Sequence, residues 1–142
     1  MTDIRNVFDV GARALSAQMV RMNTVASNLA NVDTVSGTKE GAFRAMRPVF
    51  ETTYADAMGA MGGNSGLATS DVAEVVMLDR TPERELRPDH PAADKDGFIW
   101  KAAINPDEEM VEMVDASRQY QNTLETMSTL RTLMARTVQM GS

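Results

Sequence analysis

The chain has 142 residues, one domain's worth, enough for a modest core. Its net charge of −6 argues against nucleic acid, whose phosphates need a basic stripe, and the lack of cysteine excludes disulfides, thiolate catalysis and cysteine-based zinc sites. Twelve methionines against 5% aromatic residues describe a soft, adaptable buried surface, with methionine as helix-core filler rather than as a metal or cofactor ligand.

Asp3 to about Ala30 reads as a long amphipathic helix. Phe8, Leu15, Met22 and Leu29 recur every seven residues, with Ile4, Gly11, Gln18 and Val25 on the adjoining seam. Apolar residues on a seven-residue period are the coiled-coil pattern. Gly11 and Gln18 weaken the seam, while Ala12, Ala14, Ala17, Ala26 and Ala30 permit close approach of another backbone. Such a helix is roughly 40 Å long. Alone in water it is marginal, because most helix stability comes from packing an apolar face. Arg5, Arg13 and Arg21 are too sparse for a nucleic-acid stripe. Nothing near Met1 resembles a secretory signal, since Asp3 stands where a basic region belongs, and no transmembrane run is present. Any export is therefore expected to proceed without a cleaved signal.

The middle is polar and punctuated. Asn31 to Lys39 reads as a loop, with Asn31 closing the helix in the left-handed conformation that asparagine tolerates. Phe43 to Tyr54 is extended but interrupted by Pro48, hence an edge strand at best. Residues 57–66, rich in Gly and Met, are expected to be flexible. Leu67 to Leu78 alternates as a strand does, and Thr81 to Gly97 is a charged, proline-rich loop ending in the turn Lys95-Asp96-Gly97. Phe98 to Ile104 is a second apolar extended piece.

Asp107 to about Gln139 is the second long helix. Pro106 starts it, since the first turn does not need the missing N–H. Met110, Met113, Tyr120, Leu124, Met127, Met134 and Val138 follow the three–four spacing, widened by Leu130 and Leu133. Asp107, Glu108, Glu109, Glu112 and Asp115 crowd the start while Arg131 and Arg136 sit near the end, a polarity that complements the helix dipole. The organisation is mostly α with a small β-containing insert: a helix and loop over 1–34, an insert over 35–105, and a helix over 106–142. The two helices are expected to form an antiparallel coiled-coil-like pair.

Nothing in this pattern converges as catalysis requires. His90 stands alone between Pro88 and Pro91, and Asp94-Lys95-Asp96-Gly97 lacks the later ligands of a calcium loop. The glycines from Gly59 to Gly66 are not followed by the Lys-Ser or Lys-Thr of a phosphate loop. Glu108, Glu109 and Glu112 share a helix start as a solvated, dipole-favoured cluster rather than as metal ligands. Ser27, Asn28 and Asn31 suit capping or inter-subunit hydrogen bonding rather than chemistry. The expectation is no enzyme, no cofactor, no metal and no direct lipid binding.

Two stretches go beyond pattern. Ala14 to Thr34 (ALSAQMVRMNTVASNLANVDT) resembles the N-terminal signature of the flagellar rod and hook axial proteins, centred on Ala26, Ser27, Asn28, Leu29, Ala30 and Asn31. Glu109 to Met127 (EMVEMVDASRQYQNTLETM), with Glu109, Met110, Arg118 and Tyr120, resembles the matching C-terminal signature. His90 to Met110 is similar to the short proximal-rod members, in which an Asn-Pro-x-Ala-Asp segment, a Gly-aromatic pair and an Asn-Pro lead into the last helix. His90 stands here for the usual asparagine and Phe98 for the common tyrosine. The likeness is weak from Glu51 to Arg87.

The resemblance implies a structural subunit polymerised helically into the basal-body rod that transmits motor torque. It further implies export through the flagellar type III apparatus into the periplasm. The partners it implies are further copies of itself, other proximal- and distal-rod proteins and the membrane-embedded base. Candidate interface residues are Phe8, Leu15, Met22, Leu29, Met110, Met113, Leu124 and Met127. The other readings are a sister short axial subunit, an inner-rod protein of a virulence secretion system, or a soluble helical adaptor or small enzyme.

Overall fold

In the computed structural model, which describes residues 2–54 and 68–140, two helices flank five strands. Helix α1 spans Thr2–Ala30, followed by β1 (Val35–Ser36), β2 (Met46–Tyr54), β3 (Ala68–Met77), β4 (Glu83–Leu86) and β5 (Phe98–Lys101). Helix α2 spans Pro106–Met140. The expected flexible stretch 57–66 lies outside the described residues.

The helix ends form as their residues dictate. Asn105 caps α2, its side-chain oxygen accepting from the backbone N–H of Asp107 at 3.1 Å and of Glu108 at 3.4 Å. Pro106 then occupies the first helical position, where no donor is lost. Asn31 closes α1 with its side chain, donating to the Ser27 carbonyl at 2.8 Å.

The helices pack along each other in opposite directions. Asn28 meets Glu109, Arg21 meets Glu112, Gln18 meets Gln119, and Gly11 faces Met127. The weak positions of the first seam are thus the ones turned toward α2. A Cβ on Gly11 would stand 2.8 Å from the Met127 sulfur, so glycine makes room for that side chain. On α2 the covered line runs through 109, 113, 116, 120, 123, 127, 130 and 134, alternating four and three. The predicted α2 stripe is therefore split: Met113, Tyr120, Met127 and Met134 lie on this line, but Met110, Leu124 and Val138 are exposed.

Strands β2 and β3 form a two-stranded antiparallel ribbon that packs on α1. Both strands of such a ribbon are edges, so Pro48 removes no ladder bond that a third strand would need. Val49 pairs with Glu74 and Phe50 with Val72, which leaves Ala73 over as a bulge. The other sheet, ordered β1-β5-β4, sits where α1 ends and α2 begins. Two predicted loops, Asn31 to Lys39 and Thr81 to Gly97, therefore each contain a strand, β1 and β4. The sequence of β4, Glu-Arg-Glu-Leu, hides its nature because its side chains satisfy one another across the edge. Arg84 stacks 3.6 Å from the Phe98 ring centroid, and Lys101 reaches Glu85 at 3.3 Å.

The predicted Lys95-Asp96-Gly97 turn is present. Asp94 accepts from the N–H groups of Asp96 and Phe98 at 2.9 Å each, and Gly97 adopts φ +77°. A Cβ there would also stand 3.2 Å from the Pro88 Cα. Gly97→Ala should therefore cost about 1–2 kcal/mol from the left-handed conformation alone. Urea unfolding checks this, and a variant as stable as the parent would refute it.

Candidate assembly site: a charged hub and open apolar faces

Of the carboxylates in the first turns of α2, three, Glu108, Glu109 and Glu112, are each held by an arginine from a different part of the chain. Arg47 of β2 grips Glu109 with both terminal nitrogens, at 2.8 and 2.6 Å. Arg80, just past β3, does the same to Glu108 at 2.9 and 2.7 Å. Arg21 of α1 donates to Glu112 at 2.6 and 3.0 Å and also reaches Asp115 at 2.9 Å. The Arg47 and Arg80 contacts match the planar guanidinium to both oxygens of the carboxylate fork, whereas Arg21 sets two nitrogens on the single oxygen Oε2 of Glu112.

Glu109 is fully buried, as is Asn28 beside it. Asn28 donates to Glu109 at 2.9 Å and to the Met46 carbonyl at 2.9 Å, and it accepts from the Met46 N–H at 2.9 Å. One asparagine thus ties α1 to β2 and α2 together. The solvated reading is corrected for Glu109, which is buried at the junction of the fold, while Glu108 and Glu112 keep 40% and 32% of their side chains exposed. A buried carboxylate is tolerable only with such partners, because desolvating an unpaired one is prohibitive. Asn28 does not cap its helix either, whereas Asn31 does.

The charges follow from this geometry. Hydrogen bonding to Glu109 raises Arg47, and hydrogen bonding to Glu108 raises Arg80. The Arg80 guanidinium in turn holds the Glu108 carboxyl below its usual range. The sequence does contain a signal for this: Arg47 interrupts the apolar run Ala45 to Phe50, where an inward charge needs a partner.

No catalytic arrangement emerges around the remaining candidates. The His90 ring nitrogen Nδ1 accepts from the Ala92 N–H at 3.1 Å within its own loop. Among the described residues no group of three His, Asp or Glu side chains is placed to hold a metal ion. No described helix is long and apolar enough to cross a membrane.

What remains open is apolar. Three charges lie between Phe8 and Ala30 on α1, and all are engaged within the subunit. Asp9 pairs with Arg13, Arg13 also reaches Asp71 of β3, and Arg21 meets Glu112. The opposite face, with Phe8, Leu15, Met22 and Leu29 half-exposed and Met19 and Ala26 exposed, carries no charge. On α2, Met110, Val111 and Val114 are 59%, 69% and 50% exposed and line a shallow groove with Asp115 and Arg118. Of the candidate interface residues, Met110 and Leu124 are exposed and the four on α1 half-exposed, while Met113 and Met127 lie on the covered line between the helices. Tyr120 shares that line, and Ala30 is exposed beside Leu29.

Glu109→Ala leaves Arg47 without its main partner and should cost about 3–5 kcal/mol, against almost nothing for the exposed Glu125→Ala. Equal urea midpoints for the two variants would refute the hub. Acid should loosen the Glu108 contact as well. Its lowered folded-state value means the unfolded chain takes up the proton first, so this contribution is complete above about pH 4.3 and fades as pH falls through the lower, folded value. Arg80→Gln should flatten that acid limb in urea midpoints measured against pH.

The comparisons with known proteins agree with this architecture. The family described as "Flagella basal body rod protein" matches residues 8–37, and "Flagellar basal body rod FlgEFG protein C-terminal" matches residues 95–140. The flagellar basal-body rod protein FlgC of Escherichia coli O6:H1 is 36% identical over 137 residues, 96% of each chain. FlgC of Salmonella typhimurium is 35% identical over 136 residues, and that of Aquifex aeolicus 34% over 140, each covering 96% of both chains. The two matched segments take in α1 from Phe8 onward, all of α2 and the hub residues Arg21, Asn28, Glu108, Glu109 and Glu112, while Arg47 and Arg80 lie between them, and the chain belongs to the FlgC family of flagellar basal-body rod proteins, as a structural subunit of the rod and not an enzyme.

Proposed function

We propose that this subunit builds the proximal rod by helical polymerisation through its two terminal helices, which pair as a coiled coil and form an inner layer. In this reading 1–34 and 106–142 are the polymerising parts, and 35–105 is an insert carried on them. The observation that carries it is that the paired helices still expose apolar surface. Met110, Val111 and Val114 lie open on α2, and an uncharged face runs along α1 from Phe8 to Leu29. A head-to-tail contact between unlike faces does not close, and so propagates as a filament. Torque then passes through many interlocked helix seams.

Phe8, Leu15, Met22, Leu29, Met110 and Leu124 keep surface to offer neighbours, while Met113 and Met127 hold the pair from within. The partners are other copies and other rod proteins, both proximal and distal, together with the membrane-embedded base. Delivery to the periplasm runs through the flagellar type III export apparatus without signal cleavage.

A charge on either open face should stop assembly without unfolding the subunit. Leu15→Glu or Leu124→Lys should abolish motility and rod formation while the purified chain keeps its helical circular dichroism. Normal basal bodies containing either variant would overturn the assignment of these faces.

A further inference from the structure

The β2–β3 ribbon has two faces, and only one is used. Arg47 and Asp71 mark the inner face by reaching Glu109 and Arg13. Strand pairing and the Ala73 bulge put Met46, Pro48, Phe50, Val72, Val75 and Met77 together on the other face. That outer face carries no charge, and Phe50, Val75 and Met77 are 40%, 45% and 70% exposed. A two-stranded ribbon is marginal unless its apolar face is covered, and here Arg47, Glu51, Asp71 and Glu74 share the inner face while the apolar face is the one left open.

We propose that the outer face of the ribbon receives α1 of a second copy of this chain, so that each ribbon lies between its own α1 and a neighbour's. This rests on the assembly reading above and names the contact within it. Three observations favour that occupant. First, α1 already packs on the inner face of the ribbon, so helix on ribbon is a packing this chain makes. Second, the helix is long enough: Phe8 to Leu29 spans about 30 Å as helix, and the apolar part of the outer face, Met46 to Phe50, about 15 Å as strand. Third, both surfaces are uncharged. The open face of α1 runs through Phe8, Leu15, Met19, Met22, Ala26 and Leu29, and its three nearby charges are engaged elsewhere. The outer face of α2 differs, since Arg118, Glu125 and Arg136 interrupt it, and burying those charges against the ribbon would be costly. Small residues on α1, Ala12, Ser16 and Ala26, allow the close approach that a flat ribbon needs. The contact joins unlike faces, so it is heterologous and open-ended.

The absence of cysteine makes the test clean. Met19 lies midway along the open α1 face and Phe50 midway along the ribbon, so they meet whichever way the neighbour runs. Cells co-expressing Met19→Cys and Phe50→Cys copies should yield basal bodies in which mild oxidation by copper–phenanthroline gives a disulfide-linked dimer of this chain. Neither variant alone should give one. Val75→Cys, at a more exposed position, replaces Phe50→Cys should the latter assemble poorly. If basal bodies contain the variants but Met19→Cys links to itself, or to Val111→Cys and not to the ribbon, the inference is overturned while the assembly reading stands. If the unsubstituted chain itself never enters basal bodies, both are overturned.

Discussion

The rest of the fold depends on one buried carboxylate. Glu109 lies at the meeting point of α1, β2 and α2, with no exposed surface and three charged or polar donors around it. Removing a carboxylate from water costs several kcal/mol even after relaxation, and only near-complete pairing offsets that. Here both oxygens accept from Arg47, one of them also from Asn28, and the asparagine's remaining groups close on the Met46 backbone. The consequence is positional. Turning α2 by one residue would bring Met110 into the junction and expose Glu109, leaving Arg47 and Asn28 without partners. An apolar junction would tolerate such a slip far better, because hydrophobic contact has no direction.

This fixed junction explains how charge is distributed over the subunit. Arginines at 21, 47 and 80 converge on the first turns of α2, while Asp9, Arg13 and Asp71 join α1 to the ribbon. Internal pairing draws charge away from the open face of α1 between Phe8 and Leu29 and from the outer face of the ribbon, whereas the outer side of α2 keeps Arg118, Glu125 and Arg136. A face without charge has no desolvation penalty to overcome when covered, and each Leu, Val or Met buried there contributes roughly 1.5–3 kcal/mol. The same ion pairs that hold the subunit together therefore prepare its outer surfaces for neighbours.

The two helices were legible in the sequence because heptad spacing, Pro106 and Asn31 act locally. Their rotation was not. Phe8, Leu15, Met22 and Leu29 form the more apolar α1 seam, yet Gly11, Gln18 and Val25 face toward α2. A helix that serves more than one partner carries more than one stripe, and periodicity alone does not say which stripe meets which partner. The hub was missed for a related reason. Acidic residues at a helix start have a sufficient local explanation in the dipole, so Glu109 gives no sign of its burial until Arg47 is brought to it from 62 residues away. Strand β4 hid behind the same local logic, since its charges look solvated until Arg84 is seen against Phe98.

The subunit's own core is small. Among the described residues the buried aliphatic side chains, Pro82 aside, are Ala17, Val25, Ala42, Ala45, Ile99, Ala102 and Ala116, mostly alanine, and two of the largest fully buried side chains are Glu109 and Asn28. Alanine contributes little transfer energy, so specificity here comes from polar pairing while much of the available apolar burial is deferred to the outer faces. That division suits a component which must first exist as a separate chain and later become rigid. As a separate chain it carries helices whose apolar stripes are only half covered. In the assembly proposed above, neighbours that cover them restrain each helix on several sides. Rigidity there belongs to the assembly, while the buried Glu109 junction fixes how α2 sits on α1 and β2 in every copy.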